Sequence, residues 1–412
     1  MSSKINSIKP KGLENVGATC YMNAVLQCFY HVKPLISELI TYNLNQNLFP
    51  QMPMTFAFLD VVRQLSFDKS FAGKPILFKN VISQNPLFTG VQANDSKDLI
   101  LYFLEKIDFE LTMLNFQSQN KNYYNTIRTM QVFNNIPELQ NIVNVFITNH
   151  KSIFSELFYG FMSQTIECVH CGQKLTNYQI FNFIIFPIEN VYNSKRGGNI
   201  KKNIKESYDK PKNPASLPPA GMPSGGRRST SNSTYGSFYR DQNNYNQNRT
   251  YVQPRNNRID YYDGGRKSVT LEQCFENEID DINFKGDNQI YCNRCRKLMD
   301  AKGTNIIFSS PHVLILILNR GKANQFDCDV EFGETLNIKD WVVSKECPTK
   351  YKLVGVISHF GESSMSGHFI ADCRHFDNKW YCFNDGIVTG PSGSYSKRGT
   401  PYILFYQNAN CD

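Results

Sequence analysis

No stretch of 18 consecutive apolar residues occurs in the chain; the longest strongly apolar run, Val313 to Leu318, has the length of a strand. A run that short cannot cross a hydrocarbon layer as a helix, so no membrane partner is expected. The first residues, with Lys4, Lys9 and Lys11 among polar neighbours, lack the apolar segment of a secretory leader. Cysteine is too thin for a disulfide scaffold: 12 in 412 residues, with four of them in two Cys-x-x-Cys pairs. These absences predict a soluble protein of a reducing compartment, cytoplasmic or nuclear. Acidic residues run short in one place. Between 191 and 268 there are 15 Lys/Arg against 5 Asp/Glu, so a net charge of +8 for the whole chain leaves the remainder near −2. That excludes reading the whole body as a nucleic-acid binder. Only the basic segment is suited to touching RNA or acidic partners.

What the chain does hold is aromatic mass, 30 Phe and 22 Tyr, enough for a sizeable core. Its length allows two ordinary domains or one large domain with insertions. Residues 1–11 read as a flexible lead. Helical spacing of apolar residues predicts helices over 54–66, 76–84 and 95–114, where Asp95 suits the N-cap and Asp98 the first turn. The stretch 117–150 is polar and poorly patterned. From Leu157 the texture becomes β, with strands expected over 158–167 and 177–187. Residues 191–268, rich in Asn, Ser, Gly, Pro and Arg, bury too little apolar surface to offset ordering, which predicts a disordered insertion. A short helix over 270–278 and a series of strands from 303 onward follow, broken by turns at Gly361, Asp377-Asn378 and Gly386. A helical half followed by a β half describes an α+β body.

Three groups of residues carry chemistry. Cys20 sits where a loop bearing Gly12 and Gly17 becomes a helix, a position whose free N–H groups and dipole favour thiolate. Asn15, five residues earlier, offers an amide to a developing oxyanion. A cysteine nucleophile needs a base and the base an orienting group. His368 opens a strand in Ser366-Gly367-His368, and Asn384-Asp385 ends the next one. A hairpin turning about Asp377-Asn378 brings Asn384 back beside His368. The third group is the pair of knuckles, Cys168/Cys171 and Cys292/Cys295, the ligand set of a four-thiolate structural Zn2+ site. His170 lies inside the first knuckle as an alternative ligand, although four thiolates already complete a tetrahedron.

Residues 12–28 resemble the cysteine box of the ubiquitin-specific protease family of cysteine deubiquitinases, and 351–388 its histidine box. Trp380-Tyr381 and Phe383-Asn384-Asp385 match, while Phe369 replaces the usual tyrosine. Gln92 to Leu99 is similar to the family's glutamine/aspartate stretch, departing at Asn94, Lys97 and Asp98. Asn319-Arg320-Gly321 stands where Lys-Arg-Phe is usual. The resemblance implies a papain-like fold with a helical thumb (about 12–150), zinc-bearing β fingers (157–190 and 269–310) and a β palm (311–410), with 191–268 inserted in the fingers. It implies a thiol hydrolase cutting after the C-terminal glycine of ubiquitin, with ubiquitin and ubiquitinated proteins as partners. Cys20 would be the nucleophile, His368 the base, Asn384 its orienter, Asp385 a support and Asn15 part of the oxyanion hole. Asp95, Asp98, His359, Gly367 and Trp380 would meet the substrate. The alternatives are a protease for another ubiquitin-like modifier and a non-catalytic zinc-ribbon scaffold binding RNA or protein.

Overall fold

Every residue of the helix Cys20–Tyr30 is buried, Asn23 and Gln27 included. A helix with no solvent face must be packed on all sides, and the elements around it are placed accordingly. The computed structural model describes all residues except 1–5, 43–45, 93, 114–135, 197–266, 280–281, 322–325, 364–365 and 411–412. Those described belong to one unit, Met1–Ile200 with Arg266–Asp412.

The first part is mainly helical: β1 (Gly12–Leu13), α1 (Cys20–Tyr30), α2 (Lys33–Leu39), α3 (Pro53–Phe67), β2 (Ala72–Gly73), α4 (Ile76–Ile82), α5 (Ser96–Met113), α6 (Pro137–Asn149) and α7 (Ile153–Phe158). The expected helices over 54–66, 76–84 and 95–114 are α3, α4 and α5. Proline opens α3 and α6, where its missing N–H costs nothing. Glu110 of α5 completes α3 by accepting from Met54 N–H (3.1 Å) and Thr55 N–H (2.8 Å), two of the helix's orphan donors. Asp95 caps α5 as expected: its Oδ1 accepts from Lys97 N–H at 2.8 Å.

The second part is β-rich: β3 (Gly160–Cys168), β4 (Lys174–Phe181), β5 (Ile184–Pro187), α8 (Ile188–Arg196), β6 (Ser268–Thr270), α9 (Leu271–Ile279), β7 (Ile282–Phe284), β8 (Ile290–Cys292), β9 (Lys297–Met299), β10 (Ala301–Ser309), β11 (Val313–Asn319), β12 (Asp329–Glu331), β13 (Thr335–Asn337), β14 (Lys350–Ser363), β15 (Ser366–Arg374), β16 (Trp380–Asn384), β17 (Ile387–Ser392) and β18 (Thr400–Asn408). Among the described residues the large sheet runs β17-β16-β15-β14-β18-β11-β5, with β13 on β14, and a second sheet runs β4-β3-β10-β7. The apolar run of β11 lies between β18 and β5, fully buried from Val313 to Leu318, as a strand covered on both faces requires.

Four expectations change. Phe158 ends helix α7 instead of starting a strand, because Ser152 caps that helix by accepting from Ser155 N–H at 3.0 Å. The segment 177–187 is two strands in different sheets, β4 on β3 and β5 on β11. Gly361 is no terminus: β14 passes through it, with a shift of register between Phe360 and Ser363. Within 117–150, residues 137–149 form α6. Of the lead, Ile8 and Lys11 are bonded to the body through their carbonyls. The expected insertion falls almost wholly outside the described residues.

Phe29 of α1 joins the two parts. Its ring lies 4.9 Å from Phe103 of α5 and 5.3 Å from both Phe158 of α7 and Phe405 of β18. Phe29→Ala is expected to destabilise the fold by about 3–5 kcal/mol, since no neighbour in so dense a cluster can collapse into the gap. Denaturant unfolding measures it.

Candidate active site

The loop before α1 is shaped by its own short side chains. Asn15 Oδ1 accepts from Gly17 N–H and Thr19 N–H, both at 3.1 Å, and Val16 N–H donates to Thr19 Oγ1 at 3.0 Å. Gly17 (φ 114°) and Ala18 (φ 48°) take the left-handed backbone this turn needs. The chain thus enters α1 with Cys20 as its first residue, buried at 5% exposure. The N–H groups of Phe369, Tyr21 and Cys20 itself favour the thiolate, but burial outweighs them and Asp385 adds its repulsion, so the thiol is pushed up. The N–H groups at the helix start favour the thiolate, as expected from sequence, and burial outweighs them.

Phe369 lies in β15, one residue after His368, so its contact with the Cys20 sulfur brings the start of that strand to the start of α1. The hairpin β15–β16 pairs Ala371 with Phe383 and Arg374 with Trp380. Extending that register places Asn384 diagonally across from His368, and Asn384 Oδ1 stands 2.6 Å from His368 Nε2. An amide oxygen only accepts, so Nε2 carries the hydrogen and Nδ1 is left as the basic nitrogen.

Asp385 ties these pieces together. Its Oδ2 accepts from Asn15 Nδ2 at 2.9 Å and its Oδ1 from Asn23 Nδ2 at 2.8 Å, while its carbonyl accepts from Leu13 N–H at 2.9 Å. Asn23 also donates to the carbonyls of Leu13 and Glu14. Asn15 is thereby held at both ends of its amide. One of its two amide hydrogens is used, and the other remains to give.

Far from this cluster in sequence, Cys168, Cys171, Cys292 and Cys295 bring their sulfurs within 4.8 Å of one another. Four thiolates around a zinc ion at the usual bond length sit about 3.8 Å apart; Cys171 and Cys292 are 3.5 Å apart. The Cys295 N–H donates to the Cys292 sulfur, lowering that thiol to about 7. The four residues therefore fit a tetrahedral metal ion. His170 is not among the clustered ligands.

The profile of the ubiquitin carboxyl-terminal hydrolase family matches residues 11–406. The chain belongs to that family. It is similar to ubiquitin carboxyl-terminal hydrolase 21 of Homo sapiens, 22% identical over an alignment of 418 positions, gaps included, that spans 96% of this chain and 61% of that protein. Ubiquitin carboxyl-terminal hydrolase 25 of Arabidopsis thaliana is 32% identical over 146 residues, 34% of this chain and 22% of that protein. Among solved structures the chain resembles the SAGA Ubp8/Sgf11/Sus1/Sgf73 DUB module bound to monoubiquitin (TM-score 0.58, 19% identity, 99% of this chain, 70% of that one). The same module bound to ubiquitin aldehyde gives a TM-score of 0.57 at 18% identity, with 99% of this chain and 70% of that one covered. This likeness establishes the fold, an α+β body consistent with the family's thumb, palm and fingers.

The remaining family-derived positions are spread out. Asp95 is bonded through Oδ2 to the Tyr402 hydroxyl at 2.9 Å, and burial pushes its carboxyl up. Asp98, one turn on, pairs with Lys97 at 3.5 Å. His359 is 2% exposed, with its ring 4.7 Å from Phe369. Gly367 packs against it so closely that a Cβ would overlap His359 Nε2. Trp380 is buried at the end of β16 remote from Asn384, its indole N–H donating to Glu334 at 3.3 Å. Sequence reasoning passed over Asn23 and Tyr402. Only the spacing of Asn23, one helical turn after Cys20, hinted at its place.

Gly12 is pressed against the same turn: a Cβ there would lie 2.5 Å from the Asp385 carbonyl oxygen. Gly12→Ala is expected to displace the 385–386 turn and cost about 1–3 kcal/mol of stability. A lowered denaturation midpoint checks it; an unchanged midpoint contradicts the packing.

Proposed function

We propose that this chain is a thiol-dependent deubiquitinase that hydrolyses the isopeptide or peptide bond after the C-terminal glycine of ubiquitin. The observation that carries this reading is the convergence of Cys20, the strand start at His368–Phe369 and Asn384, in a chain of this family. His368 Nδ1 takes the proton from Cys20, whose thiol is pushed up by burial, as the sulfur attacks the glycine carbonyl. The free amide hydrogen of Asn15 and the N–H groups at the start of α1 donate to the oxyanion. His368 then gives its proton to the leaving lysine amine. In the second half-reaction His368 deprotonates water, which cleaves the thioester and regenerates the thiol. Asn384 keeps the imidazole in the tautomer that both halves need. Asp385 acts through Asn15 and is a positioning residue.

Asp95 and Asp98 are the groups proposed to meet the basic tail of ubiquitin, with His359 and Gly367 shaping the strand edge beside it. Trp380, buried against Glu334, would serve that surface only from within the palm. We infer that the four clustered cysteines hold one zinc ion; with four thiolates it has no open position, and the chemistry it supplies is structural.

Cys20→Ala is expected to abolish release of fluorophore from ubiquitin–fluorophore while ubiquitin is still bound; unchanged turnover rejects the assignment. Labelling with ubiquitin carrying a C-terminal electrophile, beside other ubiquitin-like proteins so tipped, should map to Cys20 and be strongest for ubiquitin. Asp385→Ala is expected to lower kcat about 10²–10³-fold, the scale of a lost oxyanion donor, with KM little changed. Cys295→Ser should drop bound zinc from one per chain to near none by elemental analysis. Retention of a full equivalent would place the metal elsewhere.

A further inference from the structure

Two buried imidazoles face each other behind the cysteine site. His31, just after α1, and His375, just after β15, are each 2% exposed. His31 Nε2 stands 3.0 Å from His375 Nδ1. Their outer nitrogens are both committed to backbone carbonyls, His31 Nδ1 to Gln27 at 2.7 Å and His375 Nε2 to Ile8 at 2.8 Å. A carbonyl only accepts, so each outer nitrogen must carry a hydrogen. Two neutral imidazoles own one N–H apiece, and these two contacts use both. The inner nitrogens would then meet lone pair to lone pair at hydrogen-bonding distance. Three contacts need three hydrogens.

We propose that His31 and His375 together bind one proton and stand in the folded protein as a single shared cation, N–H···N, that clamps three segments of the chain.

The surroundings suit a cation independently of the count. Rings of Tyr30, Phe376 and Phe383 lie 5.3, 5.7 and 4.9 Å from His31, and those of Phe376 and Tyr381 lie 4.9 and 5.7 Å from His375. His31 sits at the carboxyl end of α1, the negative end of its dipole. Asp377, in the hairpin turn, is the carboxylate acting on His375, and the Tyr381 hydroxyl donates to it at 2.9 Å. The titratable hydroxyl of Tyr30, on the α1 side, is engaged with Ser66. The amino-terminal segment meets the pair through the neutral carbonyl of Ile8.

A second proton is resisted. It would add a fourth N–H with no acceptor. Burial pushes protonation of both rings down, and for His31 the neighbouring ring adds to that push; the first proton is held against it by the three contacts it completes. The two steps act with opposite signs. By this proposal the three contacts hold the first proton above the ordinary histidine range against the push of burial, so its contribution is present at lower pH and lost as pH rises through the folded value. The second is held below that range, so stability is also lost as pH falls from the ordinary histidine value toward it. Stability contributed by the pair therefore peaks between. The clamp ties the end of the helix that begins with Cys20 to the turn of the hairpin bearing His368 and Asn384, with the segment at Ile8 as the third member.

The test uses the full chain with nitrogen-15 histidine. At a pH of about 8, above the ordinary histidine range, the rings of His31 and His375 should together show three N–H signals, one shared and slow to exchange. Two signals, one per ring with neutral shifts, would overturn the proposal. Raising the pH from about 7 to about 9 should lower the thermal midpoint of the wild type, and His31→Phe should remove that slope. Equal slopes in the two proteins also overturn it. If His31→Phe does not fold, the signal count in the wild type still decides.

Discussion

The buried helix α1 sets the terms for the rest of the molecule. It is closed off from water on every side, yet it carries Asn23 and Gln27 and begins with a thiol. Buried polar groups need partners from elsewhere in the chain. Asn23 finds Asp385 and the carbonyls of Leu13 and Glu14, and Gln27 finds the carbonyl of Lys11. The contacts that engage these two amide nitrogens are the same ones that fix the loop before Cys20 and the turn after Asn384. Packing and site geometry are one constraint here.

That coupling explains how little of the site rests on the cysteine's own environment. Burial pushes the Cys20 thiol up, so in the proposed reaction the sulfur depends on a base delivered by β15 and oriented by β16. The base is placed by the register of one hairpin, and the turn following Asn384 is placed by Gly12 and Leu13. At the opposite end of both elements the proposed His31–His375 cation closes a second link between the same helix and the same hairpin. The two links fix α1 against the hairpin at both ends, leaving little freedom to slide. The clustered cysteines act on different elements, joining the β3–β4 turn to the β8–β9 hairpin.

Much of this was legible in the residues. The helices α3, α4 and α5 followed from apolar spacing, Asp95 from its capping chemistry, β11 from an unbroken apolar run, and the four-cysteine cluster from two Cys-x-x-Cys spacings. The diagonal contact of His368 with Asn384 followed from counting residues about a two-residue turn. Less local features were read wrongly. Phe158 looks like a strand residue because aromatics favour strands, and only the Ser152 cap assigns it to a helix. The break at Asn182–Phe183 was invisible because Ile180, Phe181, Phe183, Ile184 and Ile185 form an apolar stretch on both sides of it, divided only by the sheet each strand joins.

By itself the sequence determined which side chains are able to do chemistry and which segments take helical or strand form, because spacing, capping and ligand type are local properties. It also carried the family through the order of its motifs. Tertiary structure alone decided that burial outweighs the helix dipole at Cys20, that Asp385 joins Asn15 to Asn23, and that two histidines 344 positions apart share a bond line. Desolvation and hydrogen-bond partnership depend on which distant residues arrive at a point, and no local pattern encodes that arrival.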